Sequence, residues 1–272
     1  MDTRELMQKH GIRANKNLGQ NFLHREDIIE KIADSAADAE CALEIGAGLG
    51  VLTKNLCLRF KKTATIEIDR SLKSVTDEVL FGVTNHKMVY ADFLRFRLSD
   101  LDEYFEDKTL NVVGNLPYNI TGEIITKLLK NRERFKAAVV MVQKEAAQKL
   151  CALPGSKQYR AISVLCQVYS KISDIVEVSP DCFIPAPHVT SSVIRLDFLQ
   201  DTPIPREKEQ DFNQFIHRIF NQRRKFLTAI FQNAAEKEKA RDVLKNLGFT
   251  DKTRGEEMTP DQLCQLYLQM YC

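Results

Sequence analysis

The sequence predicts a doubly wound α/β domain on a mostly parallel sheet, followed by a small all-helical domain. Three observations predict it. Five short apolar runs, near residues 42–45, 63–68, 86–90, 110–113 and 137–142, alternate with segments of helical period, the pattern of a parallel sheet with helices on both faces. A glycine turn, Gly46-Ala47-Gly48-Leu49-Gly50, follows the first run directly. Beyond residue 210 the pattern becomes purely helical.

Taken in order, Thr3 to His10 suits a short amphipathic helix stopped by Gly11. The basic, polar segment from Arg13 closes on Gln20-Asn21-Phe22-Leu23. It reads either as a surface loop anchored by Phe22 and Leu23, or as a flap over a ligand that brings Arg13 and Lys16 near phosphates. From Glu26 to Ala37, Ile28, Ile29, Ile32, Ala33 and Ala36 recur at helical spacing. After the first strand, Gly46 and Gly48 let the backbone turn tightly and approach a ligand with no Cβ in the way, and Val51 to Leu58 suits a helix. The second strand, Thr63 to Ile68, ends in acids. Glu67 stands 21 residues beyond Gly46 (67 − 46), near the ~20 at which an acid grips ribose hydroxyls. Glu67 and Asp69 share a face by alternation, so spacing alone leaves the choice open.

The third strand, His86 to Tyr90, leads to Asp92, which either accepts from an exocyclic amine or caps the next turn. The fourth runs straight into Asn115-Leu116-Pro117-Tyr118-Asn119-Ile120. Pro117 removes a backbone donor and biases Leu116 toward extended backbone, which presents Asn115, the Leu116 carbonyl and the Tyr118 ring at a strand's C-terminal edge. Ligands bind at that edge in open α/β sheets. An ordinary strand-to-helix turn would also use Asn and Pro. A helix over Gly122 to Lys130 and a fifth strand come next, and Ala161 to Tyr169 is again helical. Two strands, Ile172 to Val178 and Ser191 to Phe198, lie close in sequence and imply an antiparallel pair at one edge, for a sheet of seven strands. Between them, Phe183 sits among Pro180, Pro185 and Pro187, either a stiff platform or a plug for the core. In the helical domain Phe212, Phe215, Ile216, Ile219 and Phe220 mark one face, and Arg223, Arg224 and Lys225 form a basic patch. Gly248 is a stop signal, and Thr259-Pro260 with Gln262 starts the last helix.

Composition narrows the functional classes. A chain of 272 residues can bury a sizeable core, and 44% hydrophobic with 28% charged residues describes an ordinary globular protein. A net charge of only +2 announces no nucleic-acid partner globally, so any such partner must be met by local clusters. Seven scattered cysteines with no Cys-x-x-Cys pair argue for reduced thiols in a cytoplasmic setting, and against disulfides or structural zinc. Five dispersed histidines give a metal site little support. No apolar run approaches membrane length, and Asp2 and Glu5 within the first residues speak against a signal or transit peptide.

Glu44-Ile45-Gly46-Ala47-Gly48, Glu67, Asp92 and Asn115-Leu116-Pro117-Tyr118, in this order and spacing, resemble the S-adenosylmethionine-dependent methyltransferases of the Rossmann-like class I fold. Gln20-Asn21-Phe22-Leu23 before them and Phe183-Ile184-Pro185-Ala186-Pro187 after them narrow the resemblance to the ribosomal RNA adenine dimethyltransferases, from about Asn15 to Phe198. Asn115 to Ile120 and the Asn221-Gln222-Arg223-Arg224-Lys225 run favour the small-subunit enzyme over the macrolide-resistance methylases of the large subunit. One departure is Thr190, where relatives commonly carry Asp.

The resemblance implies roles. Asn21 and Leu23 line the cofactor pocket from a flap over residues 1–24, and Gly46 and Gly48 admit S-adenosylmethionine to the backbone. Glu67 holds its ribose, Asp92 meets its adenine amine, and Asn115 lies between cofactor and target. The catalytic set is Asn115, Leu116, Pro117, Tyr118 and Phe183 in a domain spanning 25–199, joined by a linker at 200–210 to an RNA-binding helical domain at 211–272. Arg13, Lys16, Arg223, Arg224 and Lys225 are the candidate phosphate contacts. The implied reaction is N6,N6-dimethylation of two adjacent adenosines in a hairpin loop near the 3′ end of 16S rRNA, late in assembly of the small subunit, by a monomer.

The residues suit that chemistry. An adenine N6 amine is a poor nucleophile because its lone pair is delocalised into the ring. The Asn115 side-chain oxygen and the Leu116 carbonyl can accept its two N–H bonds, which favours a tetrahedral nitrogen and frees the lone pair. Positioning is then the main catalytic contribution. Stacking between Tyr118 and Phe183, worth ~1–3 kcal/mol per base, would offset the cost of extruding the adenine. Two rivals stand beside this reading: a nicotinamide-dependent oxidoreductase, supported by the glycine turn alone, and a non-catalytic RNA-binding factor on the same fold.

Overall fold

The computed structural model describes residues 3–231 and 233–272. Among these residues nine strands form: β1 (Phe22–Leu23), β2 (Cys41–Ile45), β3 (Lys62–Glu67), β4 (His86–Tyr90), β5 (Leu110–Asn115), β6 (Phe135–Gln143), β7 (Ser170–Val178), β8 (Phe183–Ile184) and β9 (Ser191–Phe198). Seven of them build one sheet in the order β4-β3-β2-β5-β6-β9-β7, and β1 pairs antiparallel with β8 apart from it. The β2–β3, β3–β4, β2–β5 and β5–β6 pairs are parallel, and β6–β9 is antiparallel. Every residue of β2 is buried, as expected of a central strand covered by helices on both faces.

The last two long strands take one edge of the sheet as expected, with β7 outermost and β9, antiparallel to β6, one place inside it. β9 is buried at six of its eight positions, while β7 exposes Lys171, Asp174 and Glu177. A strand with charged side chains can tolerate the edge and discourages further strand addition. The mainly apolar β9 cannot.

Contacts divide the chain into two compact units. One comprises the chain to Ala147 with Lys171–Phe198, and the other comprises Gln148–Ser170 with Leu199–Cys272. The continuous 25–199 domain expected from the sequence is therefore interrupted, because Gln148–Ser170 packs with the C-terminal helices. Tyr159 shows why: it is wholly buried, its hydroxyl donates to the Met258 carbonyl at 3.0 Å, and its ring meets Phe220 edge-on at 5.4 Å. Ile204, inside the expected linker, is buried as well. The helices Glu209–Asn221 and Pro260–Tyr271 share an aromatic seam in which Phe215 lies 5.4 Å from Tyr267. The last helix carries the expected cap, with the Thr259 hydroxyl accepting from the Gln262 amide.

In the first unit, the reversal of strand order falls between β2 and β5, which lie side by side although β3 and β4 intervene in sequence. Gly114 makes this approach possible. A Cβ there would stand 2.6 Å from the Ile45 carbonyl oxygen, a backbone atom that cannot swing aside. Beneath the glycine turn, Glu44 is fully buried and accepts from the Thr53 hydroxyl at 2.6 Å and the Thr65 hydroxyl at 2.8 Å, tying helix Val51–Cys57 and β3 to β2. Both bonds end on one carboxylate oxygen, and the other has no partner. Burial, opposed by these two bonds, pushes its carboxyl up from 4.5 to about 7.

Gly114→Ala is expected to destabilise the protein by ~1–3 kcal/mol through overpacking against backbone, read as a lowered urea midpoint. An unchanged midpoint would contradict the close approach. Because the folded-state value of Glu44 lies above its ordinary one, its contribution is fully present below about pH 4.5 and is lost as the pH rises to about 7. Between pH 5 and pH 8, Glu44→Gln should therefore gain roughly 2–3 kcal/mol relative to the parent. A constant difference across that window would show that Glu44 does not titrate with the fold.

Candidate functional site

At the C-terminal ends of β2, β3, β4 and β5 lies a cavity of about 150 Å³. It is where a doubly wound sheet opens a crevice at its switch point. Gly46, Gly48, Glu67, Asp92, Asn115, Leu116, Pro117 and Tyr118 all line it, together with Asn21 and Leu23 from the N-terminal segment. Residues spread over nearly a hundred positions of sequence thus share one wall.

The glycine turn supplies the floor. Gly46 has φ +81°, and a Cβ built on it would meet only the Asn115 carbonyl oxygen, 3.9 Å away, so a side chain there would occupy the cavity itself. Gly48 has φ +54° and passes so close to Phe22 that a Cβ would lie 3.3 Å from its ring. Glu67, buried at the end of β3, accepts from the Gly48 amide at 3.0 Å and the Asp69 amide at 2.7 Å. Burial raises its pKa and these two backbone donors oppose the rise. Glu67 therefore ties the turn to the strand end, and Asp69 faces elsewhere: its carboxylate accepts from Gln20 at 2.6 Å and from Ser71. Asp92 lines the cavity and also caps the next turn, where its carboxylate accepts from the Leu94 amide at 2.9 Å. Lys127 holds the segment beyond it, donating to the carbonyls of Phe93, Leu94 and Phe96.

The opposite wall is the end of β5. The Asn115 amide nitrogen donates to the Asn21 carbonyl at 3.0 Å, which commits its donor end to the N-terminal segment and leaves Oδ1 as an acceptor. The Leu116 amide donates to Met141 in β6, and the Pro117 carbonyl accepts from the Thr121 hydroxyl. The half-buried Tyr118 shares a 2.7 Å hydrogen bond with the Ser191 hydroxyl, and burial raises its phenol pKa. The N-terminal segment forms the roof. A Cβ on Gly19 would stand 3.8 Å from Pro117, Asn21 donates to the Gly19 carbonyl, and Phe22 is buried among Leu49, Leu72, Val75 and Val79.

Two sequence expectations need correction. Phe183 does not reach the cavity: it is 3% exposed and buried with Val113, Val139, Met141 and Val193, while its backbone pairs with Leu23. Between its prolines it braces the roof through β8. Arg223 is spent inside the second unit, donating to the carbonyls of Ser156 and Lys157 and pairing with Glu256. Arg13, Lys16, Arg224 and Lys225 are exposed. Ile68 and Phe93 also line the cavity and were not singled out from sequence; each merely adjoins a chosen residue, and a single chain carries no stronger signal for them.

The cavity is anionic. Its two acidic side chains are Glu67 and Asp92, and among the described residues lining it there is no Lys, Arg or His. Cationic ligands suit such a wall. Carboxylates at the ends of β3 and β4, apolar surface from Ile45, Ile68 and Phe93, and a turn with room in place of a Cβ together fit a nucleoside that carries a sulfonium. Among the described residues, no group of three or more His, Cys, Asp or Glu side chains could hold a metal ion, and no helix is long and apolar enough to cross a membrane.

The family model for ribosomal RNA adenine dimethylase matches residues 11–270. A ribosomal RNA small subunit methyltransferase A of Alkaliphilus oremlandii is 35% identical over 96% of this chain and 93% of its own. One from a Geobacillus species is 38% identical over 97% of this chain and 94% of its own. A crystal structure of a dimethyladenosine transferase from Plasmodium falciparum superimposes with a TM-score of 0.79 at 25% identity, covering 91% of this chain and 96% of that one. The 23S rRNA methyltransferase ErmE shares the fold, with a TM-score of 0.71 at 23% identity over 92% of this chain and 99% of that one. The chain belongs to the ribosomal RNA adenine dimethylase family and is an S-adenosylmethionine-dependent methyltransferase.

Proposed function

We propose that the protein dimethylates N6 of two adjacent adenosines in a hairpin loop near the 3′ end of small-subunit (16S) rRNA during late ribosome assembly. The observation that carries this reading is a cation-free, anionic nucleoside cavity closed by Asn115, whose amide is held with its oxygen free to accept. Relatives at 35–38% identity carry the small-subunit name, and the likeness to the 23S enzyme is one of fold. The Asn115-Leu116-Pro117-Tyr118 stretch at the cavity has no role in hydride transfer, which weighs against the oxidoreductase. Glu67, Asn115 and Tyr118, all present at the cavity, weigh against a factor that has lost the reaction.

In this mechanism S-adenosylmethionine, when bound, supplies an electrophilic methyl group. Glu67, fixed by the Gly48 and Asp69 amides, keeps lone pairs for ribose hydroxyls, and Asp92 accepts from an exocyclic amine. Asn21 and Leu23 cover the site and exclude water. Asn115 Oδ1 and the Leu116 carbonyl accept the N–H bonds of the target amine, and Tyr118 stacks on its base. No strong base is required, since the amine is activated by geometry. Arg13 and Lys16 on the flap over residues 1–24, with Arg224 and Lys225 of the helical region 211–272, meet the RNA backbone.

Incubation with undermethylated small subunits and labelled S-adenosylmethionine, followed by mapping of the modified bases, should place label on two adjacent adenosines near the 3′ end. Label confined to large-subunit RNA or DNA would overturn the substrate assignment. Asn115→Ala should lower the transfer rate at least ~100-fold, as loss of a preorganised polar group does, while cofactor affinity by calorimetry changes far less. Unchanged turnover would sink the mechanism.

A further inference from the structure

The phenol of Tyr118 ends on a group that neither the glycine turn nor the Asn115 motif explains. Ser191, the first residue of β9, is fully buried, and its hydroxyl lies 2.7 Å from the Tyr118 hydroxyl. Ser191 does not line the cavity, whereas Tyr118 does. Tyr118 sits on the connection between β5 and helix Thr121–Lys130, where its ring would otherwise be free to turn about two side-chain torsions.

The sheet makes Ser191 a reference point for Asn115. In the β6–β9 ladder Ser191 is the partner of Gln143, and in the β5–β6 ladder Asn115 is the partner of Met141, two residues away on the same strand. Asn115 and Ser191 are thus held at fixed separation by two backbone ladders. The hydrogen bond transfers that register to the Tyr118 ring. A ring pinned at both ends, by the chain at Cβ and by Ser191 at Oη, presents its face at one angle to whatever the Asn115 oxygen holds.

We propose that Ser191 is a positioning residue for methyl transfer, acting through Tyr118 to align the target base with Asn115. This rests on the proposed adenine-methylating activity. The Ser191 hydroxyl contributes to the transfer step, and it contributes nothing to S-adenosylmethionine binding, since the cofactor residues Glu67 and Asp92 lie at the ends of β3 and β4.

The test compares Ser191→Ala, Ser191→Thr, Tyr118→Phe and the Ser191→Ala/Tyr118→Phe double variant on undermethylated small subunits. Single-turnover methylation by Ser191→Ala should fall about tenfold, as small misplacements of reacting groups do, with the S-adenosylmethionine Kd unchanged. Ser191→Thr keeps the hydroxyl and should restore most of the rate. Tyr118→Phe should match Ser191→Ala, and the double variant should be no slower than either, because all three lack the same bond. In parallel, the Tyr118 resonance of 3-fluorotyrosine-labelled protein, assigned by its loss in Tyr118→Phe, should shift in Ser191→Ala and return in Ser191→Thr. Multiplying losses in the double variant, or a Ser191→Ala rate equal to the parent's, would overturn the proposal. A parent protein that transfers no methyl group would overturn the proposed function instead, and the fluorine shift would then still report on the hydrogen bond.

Discussion

The close approach of β5 to β2 is the constraint on which the rest of the site depends. Gly114 has to be glycine there because the Ile45 carbonyl occupies the place a Cβ would take. That single missing carbon brings the end of β5, with Asn115 and Leu116, beside the Gly46 turn at the end of β2. Parallel pairing then places the two loops at the same edge of the sheet. β3, on the other side of β2, adds Glu67, and β4 adds Asp92. Had β5 added at the far side of β4, the acids and the amide would have met different ligands.

The N-terminal segment converts this open edge into an enclosed site. It touches the acidic end through Gln20 and Asp69 and the chemical end through the Asn21 carbonyl and Asn115. Phe22 supplies the apolar anchor, and the β1–β8 pair supplies backbone hydrogen bonds to the segment that carries Phe183. The roof is therefore tied by many modest interactions, each of order ~1 kcal/mol, and no single one decides its position. Further out, Lys9 pairs with Glu78, where the exposure of the lysine makes the ion pair weak, and His10 shares a hydrogen bond with the same carboxylate.

Charged residues in this protein do more internal bridging than their exposure in sequence suggests. Lys127 collects three carbonyls behind Asp92, Arg134 pairs with Asp102, and Arg195 is shared between Asp38 and Asp197. Arg223 binds the loop after Pro154 to the turn holding Glu256 within the helical unit. With a net charge of +2, the protein carries no strong global field, and attraction of an anionic partner falls to its locally exposed cations.

Much of this was legible in the chain. Periodicity gave the strands and helices, because alternate burial and helical repeat are written directly in residue order. The glycine turn, Glu67, Asp92 and Asn115 could be assigned to one strand edge because parallel strands separated by helices must all point the same way. The order of strands was not legible: the placement of β9 inside β7 depends on which strand can bear exposure, a property of the assembled sheet. Nor was the allotment of Gln148–Ser170 to the helical unit, which depends on what Tyr159 finds to pack against. Phe183 and Arg223 had the right chemistry for a base and a phosphate, and the fold spent them on the core and on carbonyls. By itself the sequence determined the kinds of groups, their local conformations and the edge at which they gather. Only the tertiary structure decided which of them keep a free atom for a ligand, because a side chain's partners come from segments whose distance in sequence says nothing about their distance in space.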